Sequence, residues 1–317
     1  MAATRKKSKR KSSLPSRQGD IAVVDIGSNG VRMVVYRLGR KKFERTCEKK
    51  AVCRLGRQLA SDKPRLDREG MALTLKALRK FRRTLRKKKP RKIFAIGTAA
   101  MRAVAHTRKG RAFHRKAERA LGCKIRIISG RKEAQLAAQG VMSALNKVSG
   151  VCGDLGGGSL ELASVRRGRV GHTATLALGS LALLDEAEND PFRAGVLLHQ
   201  RLNHASWLPQ LKNGTFYAIG GSWRVVSRVM MKKLGQPVRP IHGFTVRADL
   251  AKKYATEISR QKPDSFRKMH RKIRYRADSI PIAAATLGEI IDRMQPRRVT
   301  FSAFGVREGL LPGQVKA

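Results

Sequence analysis

The chain reads as short β-branched runs alternating with stretches whose apolar residues recur at helical spacing. Residues 21–38 (IAVVDIGSNGVRMVVYRL) set two such runs around a short polar loop containing glycine, which predicts a strand, a tight turn and a second strand. From Met71, the residues Leu75, Leu78 and Leu85 follow at helical intervals with Lys and Arg between them. An amphipathic helix with a charged outer face is expected there, ended by Pro90. Residues 93–96 predict a buried strand running into Gly97-Thr98-Ala99, and residues 124–128 predict another. Ser129-Gly130 then opens a helix to about Ala144, with Leu136, Gly140, Val141 and Leu145 on one side. Residues 150–179 repeat the strand, glycine loop and strand, and Arg167-Gly168 turns the chain into a third strand. Residues 216–219 lead through Gly220-Gly221-Ser222 into a helix that buries Val225, Val226, Val229 and Leu234 and stops at Gly235. A helix over 280–294, a strand over 299–302 and a short helix near 307–311 complete the pattern. Strands and helices alternate throughout, so the fold class is α/β.

Comparing the chain with itself gives the sharpest internal signal. VVDIGSNG (23–30) and VCGDLGGGS (151–159) share an apolar residue, any residue, Asp, Ile or Leu, Gly and two small residues, with Asp25 and Asp154 lying 129 positions apart. Each motif sits between two strands. A Walker loop or a dinucleotide-binding fingerprint must open a helix, so neither applies. A glycine-rich strand–turn–strand has another use: with no side chains in the way, consecutive backbone N–H groups converge on a phosphate. The preceding Asp can hold a metal ion or a water bound to one. Two such units suggest pseudo-symmetric halves gripping one phosphate. The competing reading is two ordinary hairpins whose turns need glycine.

Composition adds a partner class. The 317 residues hold 70 Lys and Arg against 22 Asp and Glu, a net charge of +48. Charge of this size speaks about partners and solubility rather than fold, and it favours polyphosphates, nucleotides, nucleic acids or anionic membranes. A general basic bias of the source proteome would give the same number. Residues 1–19 carry seven basic residues and almost nothing to bury, and read as a disordered basic arm. The arm has no apolar stretch after it, so it is not a secretory signal. Apolar runs fall short of the roughly 20 residues a membrane span needs. Four scattered cysteines without a C-x-x-C pair point to reduced cytosolic thiols, and the expected location is cytoplasmic.

In so basic a chain, carboxylates next to the glycine loops stand out. Asp154 and Glu161 flank the second loop, and Glu161 lies two residues into the outgoing strand, where it can point back at a cleft. Glu133 lies in the first turn of its helix, where an acid either complements the helix dipole or serves as a base held near a phosphate. Arg102, after a buried strand, is either a bidentate phosphate ligand or a solvated surface arginine.

Taken together, these residues resemble the exopolyphosphatase and guanosine pentaphosphate phosphohydrolase (Ppx/GppA) family, within the superfamily of sugar kinases, actin and heat-shock chaperone ATPases. The resemblance rests on segments 23–35, 95–104, 125–141 and 153–162, and further along on 176–183, 216–222, 242–246, 276–287 and 299–311. It looks like the short form of the family. It implies two ribonuclease H-like (actin-like ATPase) domains flanking an interdomain cleft. Domain I would cover 20–132, with the terminal helix of 306–317 returning to it, and domain II 133–305.

Carried over, the resemblance implies that Glu133 orients or deprotonates the attacking water and that Arg102 contacts the terminal phosphoryl group. Asp25, Asp154 and Glu161 would surround a magnesium ion (Mg2+). Ser28, Asn29 and Gly30, with Gly156, Gly157, Gly158 and Ser159, would bind phosphates through backbone N–H groups. Three positions depart from the family pattern: Gly30 replaces a usual Ser, Lys132 the first of two glutamates, and Leu160 a usual Thr. The implied activity is Mg-dependent hydrolysis of the terminal phosphoanhydride of inorganic polyphosphate, or alternatively of guanosine pentaphosphate. The basic segments 1–19, 76–92 and 267–276 could form a track for a polyanion and favour polyphosphate. The rivals are an inactive member that binds nucleic acid or ribosomes, which lacks a motif of interleaved aromatics, and a kinase of the same superfamily. A homodimer without membrane contact is expected.

Overall fold

The computed structural model describes residues 19–39, 43–59, 64–237, 241–269, 271–274 and 276–312. The expected basic arm lies outside the described residues except for Gly19, as do residues 313–317 and parts of the basic segment 267–276. The chain builds two sheets on one plan. In the first half, β1 (Asp20–Ile26), β2 (Gly30–Leu38) and β3 (Phe43–Val52) form an antiparallel meander. Helix α1 (Arg68–Lys88) leads to β4 (Lys92–Gly97), and α2 (Ala99–Ala103) and α3 (Arg108–Leu121) lead to β5 (Arg126–Ile127). The sheet order is β3-β2-β1-β4-β5, with β4 parallel to β1 and β5 parallel to β4.

Helix α4 (Gly130–Met142) follows, and the plan restarts. Strands β6 (Gly150–Leu155), β7 (Leu160–Arg166) and β8 (Arg169–Leu176) form the second meander. Helices α5 (Ser180–Glu186) and α6 (Pro191–Leu202) precede β9 (Thr215–Ile219), and α7 (Trp223–Lys233) precedes β10 (Phe244–Arg247). Then come α8 (Ala248–Ser259), α9 (Pro263–Arg267), α10 (Arg271–Arg274), α11 (Ile280–Met294), β11 (Arg298–Phe301) and α12 (Val306–Gly309). This sheet is ordered β10-β11-β9-β6-β7-β8, with β9 parallel to β6 and β11 parallel to β9. In each sheet the first strand of the meander is the one that continues in parallel, so the two glycine turns leave equivalent central strands.

Local chemistry explains the boundaries. The Asp67 carboxylate caps α1 by accepting from the Gly70 N–H at 2.6 Å, and Arg86, Lys87 and Lys88 in the last turn complement the helix dipole. The buried stripe of α1 is Thr74, Ala77, Leu78, Phe81 and Leu85, with Met71 and Leu75 packed partly buried against the same core, so the expected apolar face holds and Phe81 adds to it. Helix α3 carries no aliphatic periodicity. Its buried side is Phe113, two alanines and Leu121, held between a Thr107 cap and Gly122 at φ 85°. The chain's end returns to the start: Leu311 packs with Ile21, Val23, Val34, Tyr36 and Leu38 on one face of the first sheet.

Candidate active site

The two glycine motifs fold into the same turn. In the first, the Gly27 N–H donates to the Gly30 carbonyl at 3.1 Å; in the second, the Gly156 N–H donates to the Ser159 carbonyl at 2.9 Å. The turns abut. A Cβ placed on Gly158 would lie 2.5 Å from Ser28 Oγ, and one on Gly157 would lie 3.3 Å from the Asn29 nitrogen. Glycine is therefore needed in the second turn for close approach of the first. At Gly30, an added Cβ would run into the Ala51 carbonyl oxygen of β3. The glycine that replaces the family's Ser is thus built into the packing of this chain.

A cavity of about 370 Å³ opens over both turns. Its walls include Asp25, Ser28, Asn29 and Gly30 from the first half, and Asp154, Gly156, Gly157, Gly158 and Ser159 from the second, with Glu133 between them. Ser28 Oγ is buried without a hydrogen-bond partner among the described residues, which suits a phosphate oxygen. The N-terminus of α4 brings Glu133 to the cavity, and Ser129 caps that helix by accepting from the Lys132 N–H at 3.2 Å. Lys132 is therefore a backbone contributor to the cap, with its side chain exposed.

Behind the cavity, Arg102 gathers the acids. Its Nη1 donates to Glu133 Oε2 at 2.8 Å and to the Ile128 carbonyl at 3.0 Å, and its Nη2 donates to Glu161 Oε1 at 3.3 Å. Ser159 Oγ also donates to Glu161 Oε1, at 2.5 Å. Burial pushes the Glu133 carboxyl up to about 7, against the pull of Arg102, and the charges of Asp154 and Asp25 add to the rise. Glu161 is pushed well above its ordinary value, chiefly by burial and by the charge of Glu133. Arg102 and Glu161 thus reach the site at one remove: neither is among the described side chains lining the cavity.

On the opposite wall, Arg307 Nη1 donates to Asp25 Oδ2 at 2.9 Å. Its neighbour Glu308 accepts from Tyr36 Oη at 2.6 Å and from the Gly305 N–H at 3.0 Å. Burial alone would raise Glu308; Arg307 and these hydrogen bonds hold it below the usual carboxylate range. The Asp154 carboxylate makes no hydrogen bond or ion pair among the described residues, and burial pushes it up to about 6 despite Arg307 and Arg224.

These carboxylates can be tested as a magnesium site. No three His, Cys, Asp or Glu side chains converge as a ligand set among the described residues, and the Glu161 carboxylate is taken up by hydrogen bonds from Arg102 and Ser159. Mg2+ keeps several waters and uses one or two carboxylates plus substrate phosphates. The half-buried, unpartnered carboxylate of Asp154, close enough to Asp25 to feel its charge, fits such a hydrated ion.

Of the cavity's cations, Arg276 ends the basic segment 267–276 read as part of a polyanion track, whereas sequence reasoning did not single out Arg32, Lys50, Arg224, Arg228 and Arg307. Arg224 follows the third glycine run, Gly220-Gly221-Ser222, which could have flagged it. Arg276 donates to Ser222 Oγ at 3.2 Å, and the Asn29 side-chain oxygen, in the amide orientation that satisfies both groups, accepts from Arg276 Nη1 and Nη2 at 3.1 Å.

Residues 34–317 match the model of the Ppx/GppA phosphatase family. The chain belongs to this family. Its members are phosphatases. Solved structures agree on the fold at low identity. An exopolyphosphatase from Cytophaga hutchinsonii overlays with a TM-score of 0.83 and 17% identity, over 93% of this chain and 97% of that one. The PPX-GPPA enzyme of Aquifex aeolicus overlays with a TM-score of 0.74 and 21% identity, over 92% and 98%. The architecture is that of the family, two ribonuclease H-like (actin-like ATPase) domains flanking a cleft, and the cavity lies in that cleft. The family match begins inside β2, past the first glycine turn. No helix among the described residues is long and apolar enough to cross a membrane.

Proposed function

We propose that this Ppx/GppA family member is an exopolyphosphatase that removes the terminal phosphate of inorganic polyphosphate in a magnesium-dependent reaction. The observation that carries the reading is the buried Glu133 carboxylate, set in one cavity with both glycine turns and five arginines. In this reading the amides of Ser28, Asn29, Gly30, Gly156, Gly157, Gly158 and Ser159 hold the terminal phosphate. Glu133 accepts a proton from water as the water oxygen bonds to the terminal phosphorus in line with the bridging oxygen. The bridging P–O bond breaks, and the shortened chain leaves with that oxygen. Positioning and charge neutralisation dominate such chemistry. Arg102 positions Glu133 and does not touch the phosphate. Asp25 and Asp154 would hold a hydrated Mg2+, which when bound would supply further charge neutralisation on the phosphates.

Polyphosphate is favoured over guanosine pentaphosphate because no aromatic side chain is among the described residues lining the cavity. A guanine base finds no stacking platform there, whereas a bare polyanion needs only the cations. The test is phosphate release by the purified full chain with Mg2+ and, in separate tubes, long-chain polyphosphate, guanosine pentaphosphate or ATP. Release from polyphosphate is expected. Release from guanosine pentaphosphate alone would transfer the activity to that substrate, and release from none would end the hydrolase reading.

A further inference from the structure

Arg224 and Arg228 sit one turn apart at the start of α7, and both line the cavity wall facing the glycine turns. Arg224 Nε donates to the Gly220 carbonyl at 3.1 Å, and Arg228 Nη1 donates to the Arg224 carbonyl at 3.1 Å. Neither guanidinium pairs with a carboxylate among the described residues. Of the nearby acids, Asp25 is engaged with Arg307, Glu133 with Arg102 and Glu308 with Tyr36, while Asp154 feels the charge of Arg224 without forming an ion pair with it. Meanwhile Arg32, Arg307 and Arg276 crowd Arg224 with like charge. Burial, and then these three arginines, pull Arg224 down to about 9. A desolvated cation crowded by cations, in no ion pair among the described residues, is costly to a fold. A wall that keeps such a group next to an open cavity is shaped for an anion that arrives later.

We propose that Arg224 and Arg228 form a second anion subsite, which holds the phosphate units behind the terminal one and so selects chains over single phosphates. The substrate identity rests on the polyphosphate reading; the subsite itself rests on the unpaired arginines. The glycine turns take one phosphate through backbone amides, which cannot count the units that follow. The α7 wall can, because each further unit brings about one charge to guanidiniums that lack one.

The subsite is tested by binding without turnover. Orthophosphate, pyrophosphate and tripolyphosphate are titrated calorimetrically into the full chain in EDTA, and melting is followed for wild type, Arg224→Gln, Arg228→Gln, the double variant, and Arg115→Gln on the exposed side of α3 as a control. Arg224→Gln is expected to weaken tripolyphosphate about tenfold, the scale of one charged contact, while orthophosphate binding holds. Each substitution should lower the slope of log affinity against log salt by about one. Removing the uncompensated charge should also raise the melting temperature, by roughly 2 °C or more. Arg115→Gln should change none of these. Equal weakening of all three phosphates, no weakening, or a fall in melting temperature with binding intact would overturn the proposal. If Arg224→Gln fails to fold, Arg224→Lys and Arg228→Gln carry the same comparison. Chain-selective binding lost in Arg224→Gln, in a protein that releases no phosphate from polyphosphate, would keep the subsite and sink the exopolyphosphatase reading. The reverse pattern would sink the subsite alone.

Discussion

The two glycine turns share a backbone and differ in charge. Each follows an Asp on a central strand and closes with the same N–H to carbonyl bond. The difference lies directly across each hairpin. Asp25 faces Arg32 in the register of β1 and β2, whereas Asp154 faces Glu161 in that of β6 and β7. The first turn has therefore become a cationic wall, where Arg32 pairs with Glu48 and Arg307 pairs with Asp25. The second has become an acidic one, where Arg102 is drawn in behind the turn and Glu133 is held over it. A repeated fold supplies two phosphate cradles, and one register position decides which cradle neutralises charge and which carries the base.

That contrast can be broken from either side. Glu133→Gln is expected to cut turnover by roughly 10²- to 10⁴-fold while folding and phosphate binding persist, measured by phosphate release and by calorimetry. An active variant would remove the base from the acidic wall. The acid limb of the wild-type rate should come next in size. Glu133 must be ionised to accept a proton, and it is held up to about 7. Lowering the pH through that value should therefore reduce kcat/KM about tenfold per unit, while rates above it level off. A flat profile between pH 5 and 8 would count against it.

The two aspartates should then respond oppositely in urea unfolding at pH 7. Asp25→Asn takes the charge from a hydrogen-bonded partner of Arg307 and should cost about 1.5–3 kcal/mol. Asp154 has a folded value raised to about 6, so its stabilising contribution belongs to low pH and is lost as the pH rises through that value. At pH 7 Asp154→Asn should be neutral or stabilising, and equal losses at both sites would erase the contrast. The smallest effect is expected from Glu161→Gln, which keeps a group for Ser159 and leaves Arg102 to Glu133. The acid limb should stay in place, since the charges that raise Glu133 are those of Asp154 and Asp25, and Glu161 is itself held well above its ordinary value. A shift to higher pH would mean that Arg102 had left with Glu161.

Much of the fold was legible because its elements are locally encoded. The predicted helix over 280–294 and the hairpin at Arg167-Gly168 appear as read. Strand β3 and helices α3, α6 and α8 were not read, since β3 is half exposed with little β-branched character and α3 buries mainly alanines around one Phe. The strand read over 124–128 shortens to Arg126–Ile127. The glycine turns and their aspartates could be found because backbone access demands glycine in sequence order. Apart from Arg276, in the basic segment 267–276, the arginines of the cavity could not, because 70 basic residues hide four.

By itself the sequence determined the alternation of elements, the duplicated Asp–glycine turn and the large positive charge, all of which depend on neighbours along the chain. Only the tertiary structure decided that Arg102 stands behind Glu133, that Arg307 returns from the far end to meet Asp25, and that Arg224 pairs with no carboxylate among the described residues. Those facts depend on which charges meet after distant segments pack, and a buried group's ionisation is set by the neighbours it meets there.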